Sequence, residues 1–112
     1  MSDRPEGQAP YREIDAAEAA ASLHTYQIID VREPEEYDGP LGHIEGSVLI
    51  PLATLPAHLA SVRVDRPVLV VCKAGMRSAN ACQFLASQGF TDLTNLKGGM
   101  MAWRMAEAKR TR

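Results

Sequence analysis

Cys72 closes the apolar run Val68 to Val71 and is followed by Lys73, Ala74, Gly75, Met76, Arg77 and Ser78. A thiol becomes a strong nucleophile when it ionises, so the neighbours of a cysteine decide its chemistry. A strand that turns through a short loop into a helix leaves several backbone N–H groups without a helical partner. Curled around the sulfur, those donors form an anion nest, and the helix N-terminus adds partial positive charge. Gly75 supplies the backbone freedom for so tight a curl. Lys73 and Arg77 bring positive charge to the mouth, where an incoming oxyanion is held. Ser78 is placed to satisfy a loose backbone group in the first helical turn. The pattern predicts a stabilised thiolate that attacks an anionic donor. The plainer alternative is a small buried hydrophobe at a strand end, which is what most free cysteines are.

Other candidates carry less. Asp30 and Arg32, in "DVR", fall at a strand end near the same crevice, and a buried polar network holding loops is favoured over direct substrate contact. His43, beside glycine in "GHIEG", reads as a hydrogen-bonded turn residue before it reads as a proton shuttle. Cys82 sits ten residues after Cys72 within a helix, which favours core over a resolving thiol. Met100, Trp103 and Met105 read as packing against a sheet. Gly98 and Gly99 allow a helix start to approach the Cys72 loop.

Composition removes several classes of function. The 112 residues make one domain able to bury a core without staples. Two cysteines at this spacing form neither a disulfide framework nor a zinc site, and three scattered histidines lack ligand spacing. No metal site and no cofactor are implied. No apolar run reaches the length of a membrane span and no signal peptide opens the chain, so the expectation is a cytoplasmic protein with no membrane partner. Residues 1–62 hold three basic and eleven acidic residues, whereas residues 63–112 hold nine basic and three acidic. The positive half contains Cys72 and suits a small anionic substrate. Only "EAKRTR" is locally basic and it lacks aromatics, so nucleic acid is not expected.

Short strand-like and helix-like runs alternate throughout. "YREI", "YQIID", "GSVLIP", "RPVLVVC" and "TDLTNL" read as strands. Residues 15–23, the "REPEEYDG" segment, "LATLPAHLASV", residues 77–89 and residues 100–109 read as helices. This order predicts an α/β domain with a mostly parallel central sheet of about five strands and helices on both faces. In such sheets the binding crevice lies beyond the carboxyl ends of the strands, where both Cys72 and Asp30 fall.

At this point "CKAGMRS" resembles the active-site loop of the rhodanese family, whose single-domain members carry C-[RK]-x-G-x-R-[ST]. "IIDVREPEEYDGPLGHIEGSVLIP" is similar to the family's D-V-R-x-x-x-E-[FY]…G-H-I-x-G-[AS] block. "FLASQGFTDLTNLKGGMMAW" is similar to its L…G-[FY]…V-x-x-L-x-G-G-[IM]-x-x-W tail. The departures are a slightly longer approach to G-H-I and Ser47 where alanine is commonest. The resemblance implies a rhodanese-like domain over residues 11–108, between a flexible segment at 1–10 and a short basic tail at 109–112. It implies sulfur transfer, with Cys72 taking a sulfane sulfur from thiosulfate or a similar small anion and passing it to cyanide or a thiol acceptor. Lys73, Ala74, Gly75, Met76, Arg77 and Ser78 would line the substrate, with Asp30, Arg32 and His43 as support. A sulfur-carrier role beside a redox or sulfur-relay protein is the alternative. An inactive regulatory module is disfavoured by the intact loop. Cysteine phosphatases and arsenate-reductase chemistry need a larger pocket, and the C-x5-R position is here Ser78.

Overall fold

The computed structural model describes residues 10–110. Residues 1–9 of the expected N-terminal segment and residues 111–112 of the expected tail lie outside them. Five strands form one sheet: β1 (Arg12–Ile14), β2 (Gln27–Asp30), β3 (Val48–Leu49), β4 (Val68–Val71) and β5 (Leu93–Leu96). Their order is β1-β5-β4-β2-β3, and every neighbouring pair is parallel. This is the α/β class read from the alternation of elements. Four helices accompany the sheet: α1 (Ala16–Ala21), α2 (Pro34–Tyr37), α3 (Met76–Ser87) and α4 (Gly99–Arg110).

β4 lies centrally and is buried on both faces, so Val68 to Val71 show no polar alternation. Side chains still point alternately to the two faces. Val68, Val70 and Cys72 join the core beneath α3, with Leu85 and Leu93, while Leu69 and Val71 join the core beneath α1 and α4. Each such aliphatic side chain contributes roughly 1.5–3 kcal/mol on burial. Period-two geometry thus delivers the Cys72 sulfur to the α3 side of the sheet.

Local chemistry explains most boundaries. The Asp15 carboxylate accepts from the Glu18 N–H at 2.8 Å and caps α1. Pro34 opens α2, and Glu33 and Glu36 form its capping box. Three expectations need correction. The 52–61 segment is a kinked 3₁₀ run, with Pro56 inside it and His58 outside helical geometry; proline lacks the N–H that a continuous α-helix requires. Helix α1 stops at Ala21 and passes into a 3₁₀ turn at Leu23–Thr25. Helix α4 starts at Gly99 and runs one residue beyond the expected end at Lys109, taking Arg110 of the expected tail into the helix. No helix among the described residues is long and apolar enough to cross a membrane.

Candidate active site

The chain leaves β4 at Val71, makes the 72–75 turn and enters α3 at Met76. Gly75 adopts φ +106, in the left-handed region that glycine enters without strain. Its N–H then points back at the Cys72 sulfur, 3.0 Å away. The Ser78 hydroxyl lies 3.2 Å from the same sulfur. Cys72 is 1% exposed, so the sulfur sits at the floor of its loop. Burial by itself pushes the thiol pKa up. The Ser78 hydroxyl and the backbone N–H groups of Ser78, Gly75 and Ala74 outweigh that, and the net shift is downward.

A second helix start holds the outer side of the loop. Met100 N–H donates to the Cys72 carbonyl at 2.8 Å, and Met101 N–H donates to the Lys73 carbonyl at 3.1 Å. With the carbonyls drawn toward α4, the loop N–H groups are left for the sulfur. The approach is close enough that a Cβ on Gly99 would collide with the Cys72 and Lys73 carbonyl groups. The glycine pair in "KGGM" does what its sequence position suggested.

The remaining expected residues fall in distinct places. Lys73, Ala74 and Met76 are exposed at the mouth. Among the described residues Lys73 has no ion pair. Arg77 is committed to Glu36 through two hydrogen bonds of 2.7 and 2.8 Å. Its pKa is raised first by Glu36 and further by the nearby Cys72 sulfur, which places its charge within electrostatic reach of the site. The hydroxyl of Ser78 does not cap the first turn of α3. It is buried beneath Cys72 and faces the sulfur and Asn95.

Asp30 and Arg32 form a fully buried pair, with Nη2 to Oδ2 at 2.7 Å. Arg32 also donates to the Glu36 and Gly42 carbonyls, tying α2 and the following loop to the end of β2. His43 stacks on Tyr37 with ring centroids 3.6 Å apart, and its Nδ1 lies 2.9 Å from the Tyr37 carbonyl. These three side chains hold α2 and the loop that follows it against the end of β2. Cys82 is buried, and burial pushes its thiol up to about 12. Met100 and Trp103 are core, whereas Met105, expected to pack, is 63% exposed. No cluster of potential metal ligands occurs among the described residues.

Three participants were not singled out from the sequence. Glu36 lies within the quoted "REPEEY" block without an assigned role. Arg104 donates to the Leu41 and His43 carbonyls and fastens α4 to that loop. Asn95 is fully buried, and the signal for it was available: an amide beside Thr94 in a short core strand closed at both ends by leucine.

Fold and site together define a class, and the comparisons agree. The family model described as the rhodanese-like domain matches residues 15–106. The chain belongs to the rhodanese-like domain family. It is 39% identical over 82 residues to the thiosulfate sulfurtransferase GlpE of Shewanella oneidensis, covering 73% of this chain and 79% of that one. It is 43% identical over 86 residues to the uncharacterized protein YqhL of Bacillus subtilis, covering 77% and 67%. Among solved structures, a rhodanese-related protein from Thermoplasma volcanium superposes with TM-score 0.79 at 33% identity, covering 86% of this chain and 93% of that one.

Proposed function

We propose that this protein is a sulfurtransferase of the thiosulfate type, working through a persulfide on Cys72. The observation that carries the reading is the sulfur held by the Gly75 N–H and the Ser78 hydroxyl, with a pKa shifted downward, at the floor of a loop only four residues long between Cys72 and Arg77. Such a loop fits a single sulfur atom and is short for a tetrahedral phosphate. The name of the Shewanella relative supports thiosulfate as donor.

In the first half-reaction the Cys72 thiolate attacks the outer sulfur of thiosulfate. The new S–S bond forms as the old one breaks, and sulfite leaves with the electron pair. No proton moves, so no general acid is required. The product persulfide is again an anion, and the loop N–H groups stabilise it. Lys73, exposed and without an ion pair, meets the sulfonate. In the second half-reaction cyanide or a thiolate attacks the outer sulfur, and the Cys72 thiolate is released.

Thiosulfate treatment followed by peptide mass spectrometry tests this. One added sulfur on the Cys72 peptide is expected, and it should be discharged by cyanide as thiocyanate. A protein with no such adduct that hydrolyses an aryl phosphate would overturn the reading. A strong preference for a persulfidated protein donor over thiosulfate would replace enzyme with sulfur carrier.

A further inference from the structure

The Ser78 hydroxyl has one proton and two acceptors. Its Oγ lies 3.2 Å from the Cys72 sulfur and 2.5 Å from Asn95 Oδ1. Asn95 cannot turn over to relieve the competition. Its Nδ2 donates to Glu13 Oε2 at 2.9 Å and to the Gly75 carbonyl at 3.1 Å, and neither partner atom carries a hydrogen to donate to Oδ1 in exchange. Backbone register explains the arrangement: Asn95 on β5 is directly paired with Glu13 on β1, and it shares the α3 side of the sheet with Leu93. Asn95 and Ser78 are both fully buried, so water does not substitute for a missing partner.

Two arrangements satisfy the atoms. With a neutral thiol, the S–H donates to Ser78 Oγ and the hydroxyl donates to Asn95. With a thiolate, the hydroxyl turns to the sulfur, and Asn95 Oδ1 is left facing a lone pair. We propose that Asn95 is a positioning residue that opposes this turn, so that the Ser78 proton follows negative charge on and off the Cys72 sulfur during transfer. The inference rests on the persulfide reading given above. In the persulfide the charge moves to the outer sulfur and the inner one becomes neutral, so the hydroxyl returns to Asn95. When the acceptor attacks, charge flows back to the inner sulfur and the hydroxyl turns again to receive it. No bond to hydrogen is broken at any step. The hydroxyl only rotates, and Asn95 decides what that rotation costs.

The test reads Cys72 without needing sulfur transfer. The pH dependence of Cys72 alkylation by iodoacetamide, followed on its own peptide, should shift to lower pH in Asn95→Ala. The size expected for a competing hydrogen bond is about one pH unit, or tenfold in thiolate population. Ser78→Ala should shift the midpoint upward, and Asn95→Ala should add nothing in the Ser78→Ala background. An unchanged or raised midpoint in Asn95→Ala, or a shift that survives without Ser78, overturns the proposal. If Asn95→Ala does not fold, NMR of the unaltered protein decides. The Asn95 side-chain amide resonance should titrate with the Cys72 midpoint, return toward its low-pH position after thiosulfate loading, and lose most of its titration in Ser78→Ala. A titration that persists undiminished in Ser78→Ala sinks the idea. Failure of thiosulfate to load would count against the persulfide reading and leave the alkylation result standing.

Discussion

Arg77 and Glu36 meet in a two-point clamp, Nη1 to Oε1 at 2.7 Å and Nη2 to Oε2 at 2.8 Å, which pins helix α2 to the start of α3. Of the two cations that sequence spacing assigned to an incoming anion, Arg77 is thus already paired, whereas Lys73 has no ion pair among the described residues.

The clamp has a pH signature. The Arg77 hydrogen bond, working against burial, lowers Glu36 from its ordinary 4.5 to about 2. A depressed carboxylate contributes stability that is complete above about 4.5 and is lost as pH falls through about 2. Glu36→Gln keeps an oxygen for the α2 cap and removes the charge. It should cost about 1 kcal/mol at pH 7, as partly exposed pairs do. Urea midpoints should show the gap to the parent narrowing between pH 4.5 and pH 2. A gap unchanged across that window would mean that the pair contributes nothing.

The two thiols should separate cleanly. Cys82 is buried with its thiol raised to about 12, whereas Cys72 is shifted downward. Iodoacetamide at pH 7 should label the Cys72 peptide alone until denaturant is added. Cys72→Ser should abolish thiocyanate formation from thiosulfate and cyanide, and Cys82→Ala should retain it. Activity lost only in the Cys82 variant would reverse the assignment.

Gly99 and Gly46 make a matched comparison. Both have positive φ, +59 and +90, so alanine carries a backbone penalty at either site of about 1–2 kcal/mol. At Gly46 a Cβ meets nothing within 4 Å, but at Gly99 it strikes the Cys72 and Lys73 carbonyl groups. Gly99→Ala should therefore lower the melting temperature further than Gly46→Ala and also reduce sulfur transfer. Equal effects on both readouts would show that the α4 contact does not shape the loop.

Arg32 serves as more than a countercharge. Its guanidinium binds Asp30 and also donates to the Glu36 and Gly42 carbonyls. A lysine lacks the fork needed for all three. Arg32→Lys keeps a charge for Asp30 but loses the carbonyl contacts, and should destabilise the fold by about 2 kcal/mol in chemical denaturation, as lost hydrogen bonds to a charged group do. A loss below half that would show that the carbonyl contacts are dispensable.

What could be read from the chain follows the range of the forces involved. Strand β4, the Gly75 turn and the start of α3 are contiguous, and their propensities agree, so the backbone path from Val68 into α3 was legible while the partners of Arg77 and Ser78 were not. The Arg77–Glu36 clamp spans forty-one positions and depends on how α2 docks, which no local pattern encodes. Met105 looked like core as an apolar residue close to Trp103, but it lies about 200° round the helix from Trp103, and the packed stripe runs through Met100, Trp103 and Ala106. Ser78 looked like a cap because serines near helix starts usually are. The buried sulfur and Asn95 offered it better partners.

The order in which the chain is synthesised acquires meaning from the grip of α4 on the Cys72 and Lys73 carbonyls. Those donors come from Met100 and Met101, nearly thirty residues downstream of the thiol they help to organise. A nascent chain that has emerged only as far as α3 already contains the donors that lower the Cys72 thiol, but its loop carbonyls still lack the partners that α4 supplies. The last helix braces a pocket whose charge is set by residues made before it.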